Sequence, residues 1–389
     1  MASQKTKTKG LRFTHLHLEN WRNFTHVAVD LQQRAFLIGP NAAGKSNLLD
    51  VFRFLSDIVS VGGGFQEAVR KRGGVSRLRS LAARQYPDIA VEVQIGDDQS
   101  RAAWSYALHF AQDNQRRPHI RREVVMKNNQ VILNRPNEQD ADDPERLTQT
   151  YLEQVNDNKE FREIADFFQT VRYMHIVPQL IREPDRSVGK VNDPFGGDFL
   201  ERLAATNDHT QKSRLRRITK ALQVAVPQLQ ELELWRDSRG TPHLRGRYEH
   251  WRARGAWQNE DDLSDGTLRL LGLLWSLLER SGPLLLEEPE LSLHPAVIQY
   301  IPAMFAQVRP ISGRQVLVST HSADVLRDEG IGLDEVLLLQ PGQEGTRVSL
   351  ANDFAEIRTL VASGLSLAEA VLQRTSPANT EQLTLFGER

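Results

Sequence analysis

The sequence predicts an α/β fold: a parallel sheet wrapped by helices, with an antiparallel β subdomain, a short helical insertion and no long coiled coil. Three observations predict it. Short apolar runs at 35–38, 284–286 and 315–320 are bounded by turn residues and alternate with helix-period stretches. Residues 88–134 break into four strand-like runs, DIAVEVQI, AAWSYALHF, IRREVVMK and QVILN, joined by the polar turns DDQS, DNQRRP and KNNQ. The helical stretches between 144 and 226 carry no sustained heptads and leave room only for a stub.

Taken in order, LRFTHLHL (11–18) and HVAVDL (26–31) read as strands separated by a polar break, ENWRNFT. AFLI (35–38) is a buried strand. A helix runs from Lys45 to about Ser60, with Leu48, Leu49, Phe52, Leu55 and Val59 at spacings of three and four, and Gly62, Gly63 and Gly64 stop it. A short basic helix, FQEAVRKRGG, follows. Residues 137–146 read as an acidic loop, 146–170 and 198–225 as helical, and VRYMHIVP (171–178) as a strand. A second β pair spans 229–250. A helix at 267–280 ends at Ser-Gly-Pro. The strand 284–286, a turn, a helix from Pro295 and the strand 315–320 complete the run.

Composition narrows the function. The 389 residues are 40% hydrophobic and 25% charged, the balance of a soluble globular protein. The formal net charge of −1 excludes a polybasic nucleic-acid binder, so any DNA contact must come from local patches. The absence of cysteine excludes disulfides and thiolate metal sites and fits a cytoplasmic location. No run reaches the ~18 apolar residues of a membrane span, so no membrane partner is expected. Residues 1–10 are basic without an apolar core and are no secretory signal.

Gly39-Pro40-Asn41-Ala42-Ala43-Gly44-Lys45-Ser46 matches the phosphate-loop pattern and lies between a strand and a helix, as that pattern requires. Backbone amides and the helix N-terminus face phosphates. Lys45 neutralises β- and γ-phosphate charge, and Ser46 binds Mg²⁺. Leu263-Ser264-Asp265-Gly266-Thr267 opens an apolar helix. Its amides and hydroxyl suit a second anion, although Ser-Asp there is equally an ordinary helix cap. Leu284-Leu285-Leu286-Glu287-Glu288-Pro289 is an apolar strand ending in two carboxylates, which alternation points in different directions. One suits a metal-bound water network and the other the attacking water. Ser319-Thr320-His321-Ser322 ends the next strand, where a histidine can hydrogen-bond a phosphate.

In this order and spacing, the motifs resemble the ABC-type ATPase heads of the SMC, RecF and OLD-nuclease group. LHLENWRNF…IGPNAAGKSNLLD is RecF-like. LLLEEPELSLHP…VSTHSADVL is similar to the OLD-type ATPases of bacterial defence. The resemblance implies an ATP- and Mg²⁺-dependent ATPase that dimerises around ATP. It implies that residues 39–47, including Asn47, cradle the nucleotide, with Lys45 and Ser46 on phosphates and metal. Ser264 and Gly266 reach the γ-phosphate held by the second subunit. Glu287, where aspartate is commoner, supports the metal. Glu288 is the general base and His321 the switch histidine. The family also expects a γ-phosphate-sensing glutamine on the metal, which Gln179 fits. The segment from Pro289 to His294 crosses the dimer interface.

The resemblance sets the domains: a flexible terminus (1–10); lobe I with the phosphate loop (11–75 and 171–185); the antiparallel subdomain (76–135); a helical insertion (136–170 and 186–230); lobe II (231–350); and a C-terminal helix and tail (351–389). About fifty residues follow Gln340, with Asp353 their only aspartate and no D-x-D pair. No nuclease activity is therefore expected in this chain, and a separate effector or nuclease subunit is.

Basic clusters at Arg70, Lys71, Arg72, Arg77, Arg79 and Arg84, at Arg116, Arg117, Arg121 and Arg122, and at Lys212, Arg214, Arg216 and Arg217 are candidate DNA-backbone contacts, or else solvated surface paired with nearby acids. Gln382-Leu383-Thr384-Leu385-Phe386 resembles the peptide by which bacterial proteins dock on the sliding clamp. His15 and His17 have a metal-compatible spacing, but the sequence offers no evident third ligand nearby. Two rival readings remain: the motor subunit of a membrane transporter, and an ATP-gated scaffold with negligible turnover.

Overall fold

The computed structural model describes residues 10–83, 88–184, 193–250, 256–279 and 282–375. The chain forms two compact units, Met1–Thr170 with Ser319–Arg389, and Val171–Val318.

The first unit opens with β1 (Arg12–Trp21) and β2 (Phe24–Asp30). Period-2 alternation buries Val27 and Val29 of β2 and turns His26 and Ala28 outward. The break between these strands is only Arg22 and Asn23, tighter than the seven residues read from sequence, because Glu19 pairs with His26 and Trp21 with Phe24. β3 (Arg34–Ile38) leads through the phosphate loop into α1 (Lys45–Val59), followed by α2 (Phe65–Arg70) and α3 (Val75–Leu78). β4 (Ile89–Gly96), β5 (Trp104–Gln112), β6 (Pro118–Lys127) and β7 (Gln130–Arg135) form the expected meander. It continues the sheet begun by β1 and β2, in the order β2-β1-β4-β5-β6-β7, rather than standing apart. α4 (Glu138–Asp142) replaces the expected loop, nucleated by a capping box between Asn137 and Asp140. α5 (Arg162–Gln169) is the only long helical piece of 146–170 among the described residues.

The core of this unit lies between α1 and the sheet. Phe52 of α1 meets Phe13 of β1 at 4.6 Å between ring centroids, and Phe167 of α5 meets Phe13 at 5.0 Å. Near the sheet's other edge, buried Arg135 donates to Glu123 at 2.8 Å and to Asp140 at 2.7 Å.

The second unit contains β8 (Arg172–Met174), α6 (Pro178–Arg182), α7 (Phe199–Ala205), α8 (Asp208–Ala225), β9 (Leu229–Arg236), β10 (Pro242–Tyr248) and β11 (Ala256–Asn259). It continues with α9 (Asp265–Leu278), β12 (Leu284–Glu287), α10 (Pro295–Ile298), α11 (Ile301–Ser312) and β13 (Val316–Thr320), which carries the chain back into the first unit. β12 pairs in parallel with β8, and β11-β10-β9 form a small antiparallel sheet. The side chain of Arg314 donates to the carbonyls of Ser276, at the end of α9, and of Gly282, before β12. Burial pushes its guanidinium down to about 9.

β14 (Val336–Gly342), β15 (Gly345–Leu350), α12 (Ala355–Ala362) and α13 (Leu367–Thr375) complete the first unit. β14 runs parallel to β3, with Leu338 opposite Ile38, and antiparallel to β15. The sequence reading did not resolve this hairpin and assigned it to lobe II; the structure groups it with the phosphate loop. Residues 1–9, Arg84 and the Gln382–Phe386 peptide lie outside the described residues.

Candidate nucleotide site

The phosphate loop is shaped by contacts that leave no room for side chains. A Cβ on Gly39 would lie 2.6 Å from the carbonyl oxygen of Leu339 on β14. Gly44 has φ +95°, and a Cβ there would lie 2.1 Å from the Asn23 amide. Ala42 also takes a left-handed backbone, φ 61°. No side chain caps α1, so the positive end of a 15-residue helix faces the loop. Lys45 is buried, and its Nζ donates to the carbonyls of Gly39 at 2.9 Å and Pro40 at 3.0 Å. The Nδ1 of His321 lies 3.4 Å from the same Nζ. Ser46, in the first turn, and Asn41 are exposed. This arrangement fits a nucleotide's phosphates: an uncapped helix end, a buried ammonium and a serine hydroxyl converge on one loop.

Sequence reasoning missed the brace beneath the loop. Asn23, at the β1–β2 turn, donates from Nδ2 to Ala43 O at 2.9 Å and accepts from Asn47 Nδ2 at 2.8 Å. It also donates to Thr346 Oγ1 at 2.8 Å, so the β14–β15 hairpin holds it in turn. The only available signal was the polar ENWRNF break itself.

In the second unit, β12 ends at Glu287, whose carboxylate accepts a hydrogen bond from the Tyr173 hydroxyl on β8. His175 Nδ1 lies 3.3 Å from the Glu287 carbonyl. Glu288 is past the strand, with φ 44°. Its direction is therefore set by a left-handed turn before Pro289, and not by the pleat alternation expected from sequence. Arg269 of α9 lines a pocket with Glu287, Pro289, Leu286 and Met174. Burial pushes the Arg269 guanidinium down, opposed by the charges of Asp265, Glu288 and Glu290.

Ser264 caps α9, its Oγ accepting from the Thr267 amide at 3.2 Å. Gly266 touches the turn after Glu288, where a Cβ would lie 2.6 Å from Ser292 O. Arg182 of α6 donates to the Leu263 carbonyl at 2.6 Å and pairs with Asp265 at 2.7 Å. This anchor of the α9 start was also not read from sequence. Gln179 is exposed on α6, five residues beyond the last residue of β8. The expected strand stops at Met174, and Pro178 opens the helix instead.

The basic clusters divide. Arg72 is buried against Asp50 (2.7 Å) and Asp57 (2.8 Å), Arg70 pairs with Glu67 (2.6 Å), and Arg117 with Asp113 (2.9 Å) and Glu145 (3.0 Å). Those charges are engaged within the fold. On α8, Arg214 packs over Trp275 at 5.2 Å, while Lys212, Arg216, Arg217 and Lys220 are exposed.

A phosphate loop between β3 and α1, together with a carboxylate-ended β12, defines a P-loop ATPase domain. Residues 34–328 match the family described as "AAA domain, putative AbiEii toxin, Type IV TA system", and the chain belongs to that family. It is 50% identical to the DNA replication and repair protein RecF of Picosynechococcus sp. over 44 residues, 11% of each chain. The match thus spans about a tenth of that relative. The fold resembles an Smc head bound to the C-winged helix domain of ScpA (TM-score 0.52, 11% identity, 87% of this chain and 96% of that one). It also resembles the Pyrococcus furiosus Smc head with an extended coiled coil, bound to the C-terminal domain of ScpA (TM-score 0.53, 10% identity, 90% and 100%). The chain is an AAA/P-loop ATPase related to this group. Among the described residues, no helix is long and apolar enough to cross a membrane.

Proposed function

We propose that this chain binds and hydrolyses ATP with Mg²⁺, pairs with a second copy around the nucleotide, and couples that closure to DNA or to a partner effector in repair or phage defence. The observation that carries the proposal is the loop at 39–46, where buried Lys45 sits at an uncapped helix end. Lys45 exchanges its carbonyl partners for phosphate oxygens. Ser46, Glu287 and Gln179 hold Mg²⁺, which supplies charge neutralisation at the phosphates. Glu288 accepts the proton of the attacking water, and His321 hydrogen-bonds beside Lys45. Ser264 and Gly266 of one copy complete the site of the other, with Ser264 giving up its cap to Thr267. The exposed basic face of α8 is the favoured DNA-backbone contact, because Lys212, Arg216, Arg217 and Lys220 stand exposed on one helix, whereas Arg72 is buried against acids.

Steady-state ATP hydrolysis with and without linear duplex DNA tests this, with Glu288→Gln as the blank. The proposal expects turnover that falls roughly 10²–10⁴-fold in the variant and rises with DNA in the wild type. Turnover indifferent to DNA moves the coupling to a protein partner. A wild-type rate equal to the blank overturns the enzyme reading in favour of an ATP-gated scaffold.

A further inference from the structure

The outer face of the β1–β2 hairpin gathers groups unrelated to the nucleotide site. His17 and Glu19 stand two residues apart on β1, so they share a face. His26 stands directly opposite Glu19 on β2. His17 Nε2 is 3.4 Å from Glu19 Oε1, and His26 Nδ1 is 3.2 Å from the same oxygen. The two imidazole rings meet at 5.2 Å, edge to face, and the three ligand atoms lie within 4.8 Å of one another.

We propose that His17, Glu19 and His26 form a site for a divalent transition ion of the zinc class. The donor set is two imidazoles and a carboxylate, which suits a borderline ion and not Mg²⁺ or Ca²⁺. The spacing fits as well. Ligand atoms on a tetrahedral ion at ~2.0–2.1 Å stand roughly 3.3 Å apart, close to both measured separations. Both are long for a charge-assisted N–H···O bond, which centres at about 2.8 Å. Beside the site, Glu92 lies opposite His17 on β4, where it is hydrogen-bonded to His109 at 2.6 Å. Two backbone strands supply the three ligands, so the site is fixed by the sheet, and it leaves coordination positions open to water.

Isothermal titration calorimetry of the full chain, untagged and free of nucleotide and Mg²⁺, with zinc chloride tests the proposal. It expects one zinc per chain, with His26→Ala and Glu19→Gln each weakening binding at least about tenfold. His15→Ala, on the same face but paired with Asp30 at 2.8 Å, leaves binding unchanged. Substitution with Co²⁺ gives the visible absorption of a tetrahedral ion, lost in His26→Ala. His26 is mostly exposed, and unchanged metal-free melting of its variant shows that the fold is intact. No saturable binding, or equal affinity in wild type, His26→Ala and Glu19→Gln, overturns the proposal.

Discussion

Glu153 shows how far one residue's surroundings can move its chemistry. Burial pushes its carboxyl up to about 7, although the Phe65 amide at 2.6 Å and the Thr150 hydroxyl at 3.0 Å donate to it. An acid whose folded pKa exceeds its unfolded value holds its proton better when folded. Its contribution is therefore present below pH 4.5 and is lost as pH rises through 7. Urea unfolding at pH 5 and pH 8 should show Glu153→Gln gaining stability relative to wild type at the higher pH, by on the order of 3 kcal/mol at most. A constant difference would refute the assignment. In the phosphate loop, Gly44→Ala forces a side chain into a left-handed backbone against Asn23. The expectation is a cost of about 1–3 kcal/mol, with binding of a fluorescent ATP analogue lost while the protein stays folded. The positions of Lys45 and Ser46 were legible because a local strand–loop–helix pattern marks the loop, and those of Glu287 and Glu288 because an apolar run ends there; the left-handed backbone of Glu288 was not. Asn23 was not, because its loop contacts are made by a hairpin turn distant in sequence. The sequence paired His15 with His17 as metal-compatible, whereas the structure turns His15 to Asp30 and gathers His17 with Glu19 and His26, which became visible only when β2 placed His26 across from Glu19.

At the scale of elements, α1 is held by ion pairs that the sequence disguised as a basic patch. Arg72 binds Asp50 and Asp57 from the α2–α3 connection, with Arg22 also 3.2 Å from Asp50. Removing Arg72 strands two partly buried carboxylates. Arg72→Met should cost about 3 kcal/mol or more, read by chemical denaturation, whereas Arg70→Ala, at an exposed pair, should leave the midpoint nearly unchanged. Equal effects would contradict the burial argument. Charge density along the sequence could not separate these residues, since which arginine turns inward depends on helix placement. Strand existence was well marked for β3, β4 to β7, β12 and β13 by apolar runs and turn residues. The limits of β8 were not, because MHIVP has strand composition but Pro178 starts a helix. β14 and β15 were passed over because the apolar run 336–339 is short and the residues from Gln340 to Arg347 that follow it are mostly polar or turn-forming.

For the whole molecule, the α/β class and the absence of a long coiled coil among the described residues were legible from heptad-free helices and buried runs. The antiparallel meander was also legible, but its union with β1 and β2 was not, since pairing between distant strands leaves no local mark. Family membership rests on 34–328, and the pairing of two copies around ATP is the proposal that gives Ser264 and Gly266 a purpose. It predicts that Lys45→Ala and Ser264→Arg each abolish turnover for different reasons, one in the loop and one in the segment offered to the partner. The most direct test is steady-state ATP hydrolysis by an equimolar mixture of these two variants. A shared site predicts recovered activity, because a mixed pair joins one intact loop to one intact Ser264 segment. A mixture no faster than the two variants measured apart would contradict it.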